Sequence, residues 1–164
     1  MTGEIFKSEV STTSGLLDWA KGALMGDWCV YFTGNISISR VKDKAVGQLA
    51  DTAFFLSECS WINLSQGRHP ASDGYTYMAT RTGRGHVPKS VMSQEVSAAE
   101  YQALSLVLKR SPDMSATRAI RYGLGVPENI AENILKTLDS RGFVTKKTTG
   151  IPWELSPLGR SVLL

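Results

Sequence analysis

The sequence has few of the features on which secreted, membrane-bound or zinc-binding proteins depend. It contains two cysteines and two histidines, and neither cysteine has a histidine nearby at a spacing typical of zinc ligands. No apolar run approaches the roughly 18 residues that cross a bilayer, and residues 1–10 lack the basic start and apolar core of a signal peptide. We therefore expect a cytoplasmic protein without a membrane segment, in which Cys29 and Cys59 are reduced core thiols.

Residue patterns of catalytic sites are missing as well. The acids of the first sixty residues are scattered over different predicted elements, so that no paired-carboxylate or two-metal pattern arises. Segment 82–86 contains two glycines but lacks the following helix that would present N–H groups to a phosphate. His69 and His86 have no serine or cysteine at a triad-like spacing. We expect no enzyme activity, no cofactor, no catalytic residue and no metal site.

The net charge of +3 is small, but it is unevenly distributed. Residues 97–164 contain nine lysines and arginines against six acids, whereas residues 1–96 contain nine of each. The excess positive charge therefore lies in the last part of the chain. Such a distribution favours a polyanionic partner for that part.

Residues 1–82 predict a small α+β unit. Hydrophobic periodicity and turn residues indicate helices at 14–25 and 43–58 and strands at 28–32, 61–66 and 74–82, the last two forming a β-hairpin. Residues 1–12 are polar and are expected to be loose. Segment 83–96, rich in glycine and polar residues, predicts a linker or an ordered loop.

Residues 97–164 predict three helices, a hairpin and a short final helix. Ser97 and Glu100 match a capping box at the start of a helix that runs to about residue 110. Ser115 caps a shorter second helix. The third begins near Pro127, ends at Gly142 and is expected to bury Ile130, Ile134, Leu135 and Leu138. Segments 143–147 and 151–155 alternate as strands, and Pro157 opens the final helix.

Two motifs in this part are similar to those of a known family. Residues 133–144, ending in Arg141, Gly142, Phe143 and Val144, resemble the end of a recognition helix that enters its wing. Residues 153–160, with Ser156 and Gly159, resemble the segment that closes the wing in multiple-antibiotic-resistance-type repressors. The resemblance implies that residues 97–164 are a winged helix-turn-helix domain and that the protein binds DNA.

The first unit resembles a different group. Residues 26–34, together with residues 61–82, are similar to small uncharacterised proteins of bacteriophages and prophages. This similarity implies a mobile-element origin and no known activity. An alternative is that the unit is a degenerate second winged helix in which one helix of the triad is missing or displaced.

The winged helix resemblance implies a set of DNA-contacting residues. In this family the solvent face of the third helix enters the major groove and the wing contacts phosphate or the minor groove. Amide side chains can read adenine, and basic side chains contribute phosphate contacts. The implied DNA-binding set is Arg118, Arg121, Asn129, Asn133, Lys136, Lys146 and Lys147. Glu128 and Glu132, on the same predicted face as the amides, argue against DNA.

A second group of cations accompanies the predicted hairpin. Arg68, Arg81 and Arg84 are candidates for a further nucleic-acid or partner contact. In an antiparallel hairpin, however, Arg68 lies at the tip and Arg81 at the base, roughly 20 Å away. These residues therefore need not form one patch.

We expect a transcriptional regulator of phage or prophage origin that binds duplex DNA, and a homodimer is one arrangement it can adopt. The alternative is a phage-encoded inhibitor that binds a host enzyme or defence complex through the winged helix.

Overall fold

The computed structural model describes residues 7–68, 74–146 and 153–164. The chain divides into two compact units, Met1–Gln94 and Glu95–Leu164, and each mixes helices with strands. The expected α+β class is therefore confirmed at that level. Within the described ranges, no helix combines the length and the apolar character needed to span a membrane.

The elements of each unit follow in chain order. In the first unit they are β1 (Lys7–Glu9), α1 (Thr13–Gly22), β2 (Trp28–Gly34), α2 (Ile36–Lys42), α3 (Lys44–Glu58), β3 (Ile62–Arg68), β4 (Tyr75–Arg81) and α4 (Lys89–Met92). In the second they are α5 (Ala98–Lys109), α6 (Ala116–Leu124), α7 (Glu128–Ser140), β5 (Val144–Lys146), β6 (Trp153–Leu155) and α8 (Pro157–Ser161).

The first unit is organised around a four-stranded sheet with the order β1-β2-β4-β3. β1 is parallel to β2, whereas β2 and β3 each pair with β4 in antiparallel fashion. The hairpin predicted from the two alternating segments is thus confirmed, although residues 69–73 of its loop lie outside the described residues. Leu16 of α1, Leu56 of α3 and Ile62 of β3 are completely buried.

Besides α4, which is described below, two elements of this unit were not predicted. Residues 7–9 are not loose, because β1 pairs with Trp28–Val30 through the backbone, which leaves no trace in side-chain periodicity. α2 was also missed, since the alternation of Ile36, Ser37, Ile38 and Ser39 is typical of a strand. The side chain of Asn35 caps α2 by accepting a bond from the Ile38 N–H. With α2 in place, the unit has the series helix, strand, helix, helix, hairpin.

The segment between the predicted units is more ordered than a linker. It contains α4, and the side chains of Val87 and Val91 are buried. The division between the units falls after Gln94, so α4 belongs to the first unit.

The two thiols differ in their surroundings. Cys29 on β2 is completely buried, and this burial raises the pKa of its thiol to about 12. Cys59, after α3, is only partly buried, and burial raises the pKa of its thiol as well. Both thiols are free, as expected, but only Cys29 is fully enclosed in the core.

The second unit follows the predicted series closely. Ser97 and Glu100 form both bonds of the capping box, Ser115 caps α6, and Gly125 ends α6 in the left-handed conformation with φ 65°. β5 and β6 pair antiparallel. Two core residues were wrongly predicted: Ile130 is 41% exposed and Ile134 is only partly buried, because α7 instead buries the stripe Ala131, Leu135 and Leu138.

A compact junction joins the hairpin to α8. The Ser156 N–H donates to the Phe143 carbonyl (3.0 Å), and the Ser156 hydroxyl donates to the Gly142 carbonyl and accepts from the Gly159 N–H. A Cβ atom on Gly159 would lie 2.0 Å from the Phe143 carbonyl oxygen. Only glycine permits this approach, so the two motifs quoted from the sequence meet at one backbone contact.

Gly159→Ala should destabilise the second unit by about 3 kcal/mol, because α8 must move away from Phe143. Arg160→Ala is the matched control, since this neighbouring side chain is exposed on the same helix. Urea unfolding followed through the methyl signals of Leu135 and Leu138 measures both variants. Equal stabilities of the two variants would contradict the assigned role of Gly159.

Candidate nucleic-acid interface

α6 carries a cluster of exposed cations around an aromatic ring. The Cζ atoms of Arg118 and Arg121 lie 5.5 and 5.6 Å from the centre of the Tyr122 ring, within the range of cation–π attraction. Tyr122 is 62% exposed. Within the described residues, neither guanidinium forms an ion pair. Both charges are therefore available to an anion from solution.

α7 presents a polar stripe to solvent. Asn129, Asn133 and Lys136 are all exposed, and their spacing of four and three residues places them on one helical face. Leu135 and Leu138, on the opposite face, are buried. The structure thus keeps these three predicted site residues together on one accessible surface.

Glu132, by contrast, does not lie on that open surface. Its side chain is partly buried, and its carboxylate accepts a hydrogen bond from the Thr117 hydroxyl of α6. This hydrogen bond connects α6 to α7, and it involves the Glu132 carboxylate in a contact within the unit. Of the two acids predicted on the exposed face of α7, Glu128 is the one that remains fully exposed, in the first helical turn.

The hairpin adds a further cation. Lys146 is exposed, and its Nζ lies 5.2 Å from the centre of the buried Trp153 ring. Arg110, at the end of α5, donates to the Val107 carbonyl (2.7 Å) and to the Trp153 carbonyl (3.2 Å). The predicted contact Lys147 lies outside the described residues.

Arg141 stabilises the fold, a role that the sequence did not reveal. It forms an ion pair with Glu100 of the capping box and donates to the Glu95 carbonyl (2.9 Å). Its guanidinium also lies 5.0 Å from the centre of the Phe143 ring. The arginine of the quoted motif therefore joins the end of α7 to the start of α5.

Of the three predicted cations of the first unit, Arg68 lies apart from Arg81 and Arg84. Arg68 and Arg81 stand at opposite ends of the β3–β4 ladder, about 20 Å apart by strand rise. Arg81 stacks on Trp61, 3.4 Å from the ring centre, and donates to the Trp61 carbonyl; burial lowers its pKa. Arg84 is exposed, and its carbonyl accepts from Arg81. Arg81 thus holds the loop after β4.

Other chemistries have little support in the described ranges. No cluster of three or more histidine, cysteine, aspartate or glutamate side chains suited to a metal ion occurs there. Comparisons with protein-family models, curated proteins and solved structures gave no match. The function is therefore inferred from the exposed side chains of the second unit.

Thr117→Val should lower the free energy of unfolding of the second unit by about 2 kcal/mol, because it leaves a partly buried carboxylate without its donor. Thr137→Val is the matched control, since the exposed Thr137 hydroxyl bonds only to the Asn133 carbonyl of its own helix. Chemical denaturation monitored by NMR compares the two. If Thr117→Val proves as stable as Thr137→Val, the hydrogen bond between Thr117 and Glu132 contributes nothing to the free energy of unfolding.

Proposed function

We propose that the second unit is a winged helix-turn-helix domain that binds duplex DNA, and that the protein is a transcriptional regulator. The observation that supports the proposal is the packed helix pair α6–α7. The first helix carries two exposed arginines, and the second exposes asparagine side chains along one face. In this arrangement α7 is the recognition helix, and the hairpin of β5 and β6 is the wing.

The proposed division of roles follows from the chemistry of each side chain. Arg118 and Arg121 contact backbone phosphates, which contribute affinity without sequence information. Asn129 and Asn133 reach base edges in the major groove, where an amide pairs with adenine through two hydrogen bonds. Lys136 and Lys146 reach phosphates on either side of the groove.

The hydrogen bond between Glu132 and Thr117 favours the hypothesis that this surface binds DNA over the hypothesis that it belongs to a protein inhibitor. A carboxylate exposed beside the two asparagines would repel a polyanion, whereas the bond with Thr117 directs the Glu132 carboxylate towards α6 and leaves it only partly exposed. The four exposed cations Arg118, Arg121, Lys136 and Lys146 then outnumber the two exposed acids Glu128 and Asp139 on these elements.

The first unit fits a second winged helix. Its series α1, β2, α2, α3, β3, β4 contains three helices, and β4 lies between β2 and β3 in the sheet. The proposed protein is therefore a tandem of two related units, of which the second contacts DNA.

Arg118→Glu with Arg121→Glu should weaken binding to random duplex DNA by about tenfold or more and reduce the dependence on salt by about two released ions. The matched control is Lys21→Glu with Lys89→Glu, which reverses two exposed charges of the first unit. Fluorescence anisotropy at several salt concentrations measures the affinities, and circular dichroism checks the fold.

Wild-type protein that is folded but does not bind duplex DNA at low salt would refute the proposal and make the protein-inhibitor reading the leading one. Equal losses in the α6 variant and in the control would show that net charge, and not this surface, governs binding.

A further inference from the structure

Tyr122 on α6 is an aromatic side chain that lies largely outside the core. Its ring is 62% exposed, whereas Phe143 and Trp153, the rings that contact Arg141 and Lys146, are buried. A buried ring stabilises a unit through the apolar area that it removes from water. Most of the Tyr122 side chain stays in water, so its role concerns its neighbours on the surface.

Two guanidinium groups lie close to this ring. Arg118 is four residues before Tyr122, on the same helical face, and its Cζ atom is 5.5 Å from the ring centre. Arg121 adjoins Tyr122 in sequence, and adjacent residues of a helix do not face each other. Its Cζ atom nevertheless lies 5.6 Å from the ring centre, so the long Arg121 side chain bends towards the ring. One aromatic side chain thus brings two like charges together.

The contacts of these two arginines differ from those of Arg141. Arg141 also lies beside a ring, but it bonds at the same time to Glu100 and to the Glu95 carbonyl, so its position stabilises the fold. In the part of the chain that the structure describes, the side chains of Arg118 and Arg121 form no ion pair. A guanidinium can stack on a ring and still direct its in-plane N–H donors at a phosphate, so both contacts can exist together.

The ring contacts reduce the cost of ordering the two arginines. A flexible side chain that becomes fixed on binding loses conformational entropy, which opposes binding. We propose that Tyr122 is a positioning residue for DNA binding, whose ring holds Arg118 and Arg121 in the free protein in position for phosphates. The inference rests on the proposed function of the second unit. A cation–π contact at an exposed site corresponds to a factor of about two to five in an equilibrium constant, so we expect an effect of about fivefold on affinity.

The first test measures the order of the arginine side chains without DNA. The ¹H–¹⁵N NOE at Nε should show that Arg118 and Arg121 are more ordered than Arg160, an exposed arginine of α8. Tyr122→Leu should reduce the order of both to that of Arg160, whereas Tyr122→Phe, which keeps the ring, should preserve it. Leucine favours a helix at least as strongly as tyrosine, so the change cannot result from a weaker α6. Equal order in the wild-type and Tyr122→Leu proteins would overturn the proposal.

The second test measures binding to random duplex DNA by fluorescence anisotropy at several salt concentrations. Tyr122→Leu should bind about fivefold more weakly than the wild-type protein, with an unchanged dependence on salt because both charges remain. Tyr122→Phe should bind as the wild-type protein does. The matched control is Phe54→Leu, which replaces a ring of similar exposure (59%) on α3 of the first unit and should leave the affinity unchanged.

The outcomes separate this inference from the function on which it rests. An equal loss with Tyr122→Phe would assign the effect to the hydroxyl group and overturn the proposal, as would an equal loss with Phe54→Leu. If the wild-type protein binds DNA and Tyr122→Leu binds equally well, the role of Tyr122 is refuted and the proposed function stands. A folded wild-type protein that does not bind DNA would refute the proposed function itself and, with it, the role of Tyr122.

Discussion

The second unit depends on one close backbone approach, that of Gly159 to the Phe143 carbonyl. Three helices and a two-stranded hairpin form a stable surface only if the hairpin is fixed against the helices. Ser156 provides this by bonding to both Gly142 and Phe143 while it caps α8. Arg141 extends the junction to α5 through Glu100. The Phe143 carbonyl occupies the space that a side chain at position 159 would need, so only glycine fits there.

This junction explains how a small unit can present α7 rigidly. Leu135 and Leu138 of α7 and Val144 of β5 are buried. The hydrogen bond between Thr117 and Glu132 connects α6 to α7. A recognition surface requires such support, because base contacts lose their selectivity when the helix that carries them moves.

The sequence predicted elements whose signals are local and missed those that depend on distant contacts. The capping box at Ser97, the helix cap at Ser115 and the alternating strands of the first hairpin were all identified, because each is set by neighbouring residues. β1 was missed because pairing with β2 satisfies its backbone, and α2 because its pattern imitates a strand. Burial was misjudged at Ile130, which is exposed. The engagement of Glu132 could not be foreseen either, since its partner Thr117 is fifteen residues away.

The proposed DNA-contacting surface consists of α6, α7 and the β5–β6 hairpin. A titration of ¹⁵N-labelled protein with duplex DNA, followed by amide chemical shifts, tests it residue by residue. We expect the shifts to concentrate at the amides around Arg118, Tyr122, Asn133 and Lys146, while those of the first unit change little. Shifts confined to the first unit, or no shifts at low salt, would contradict it.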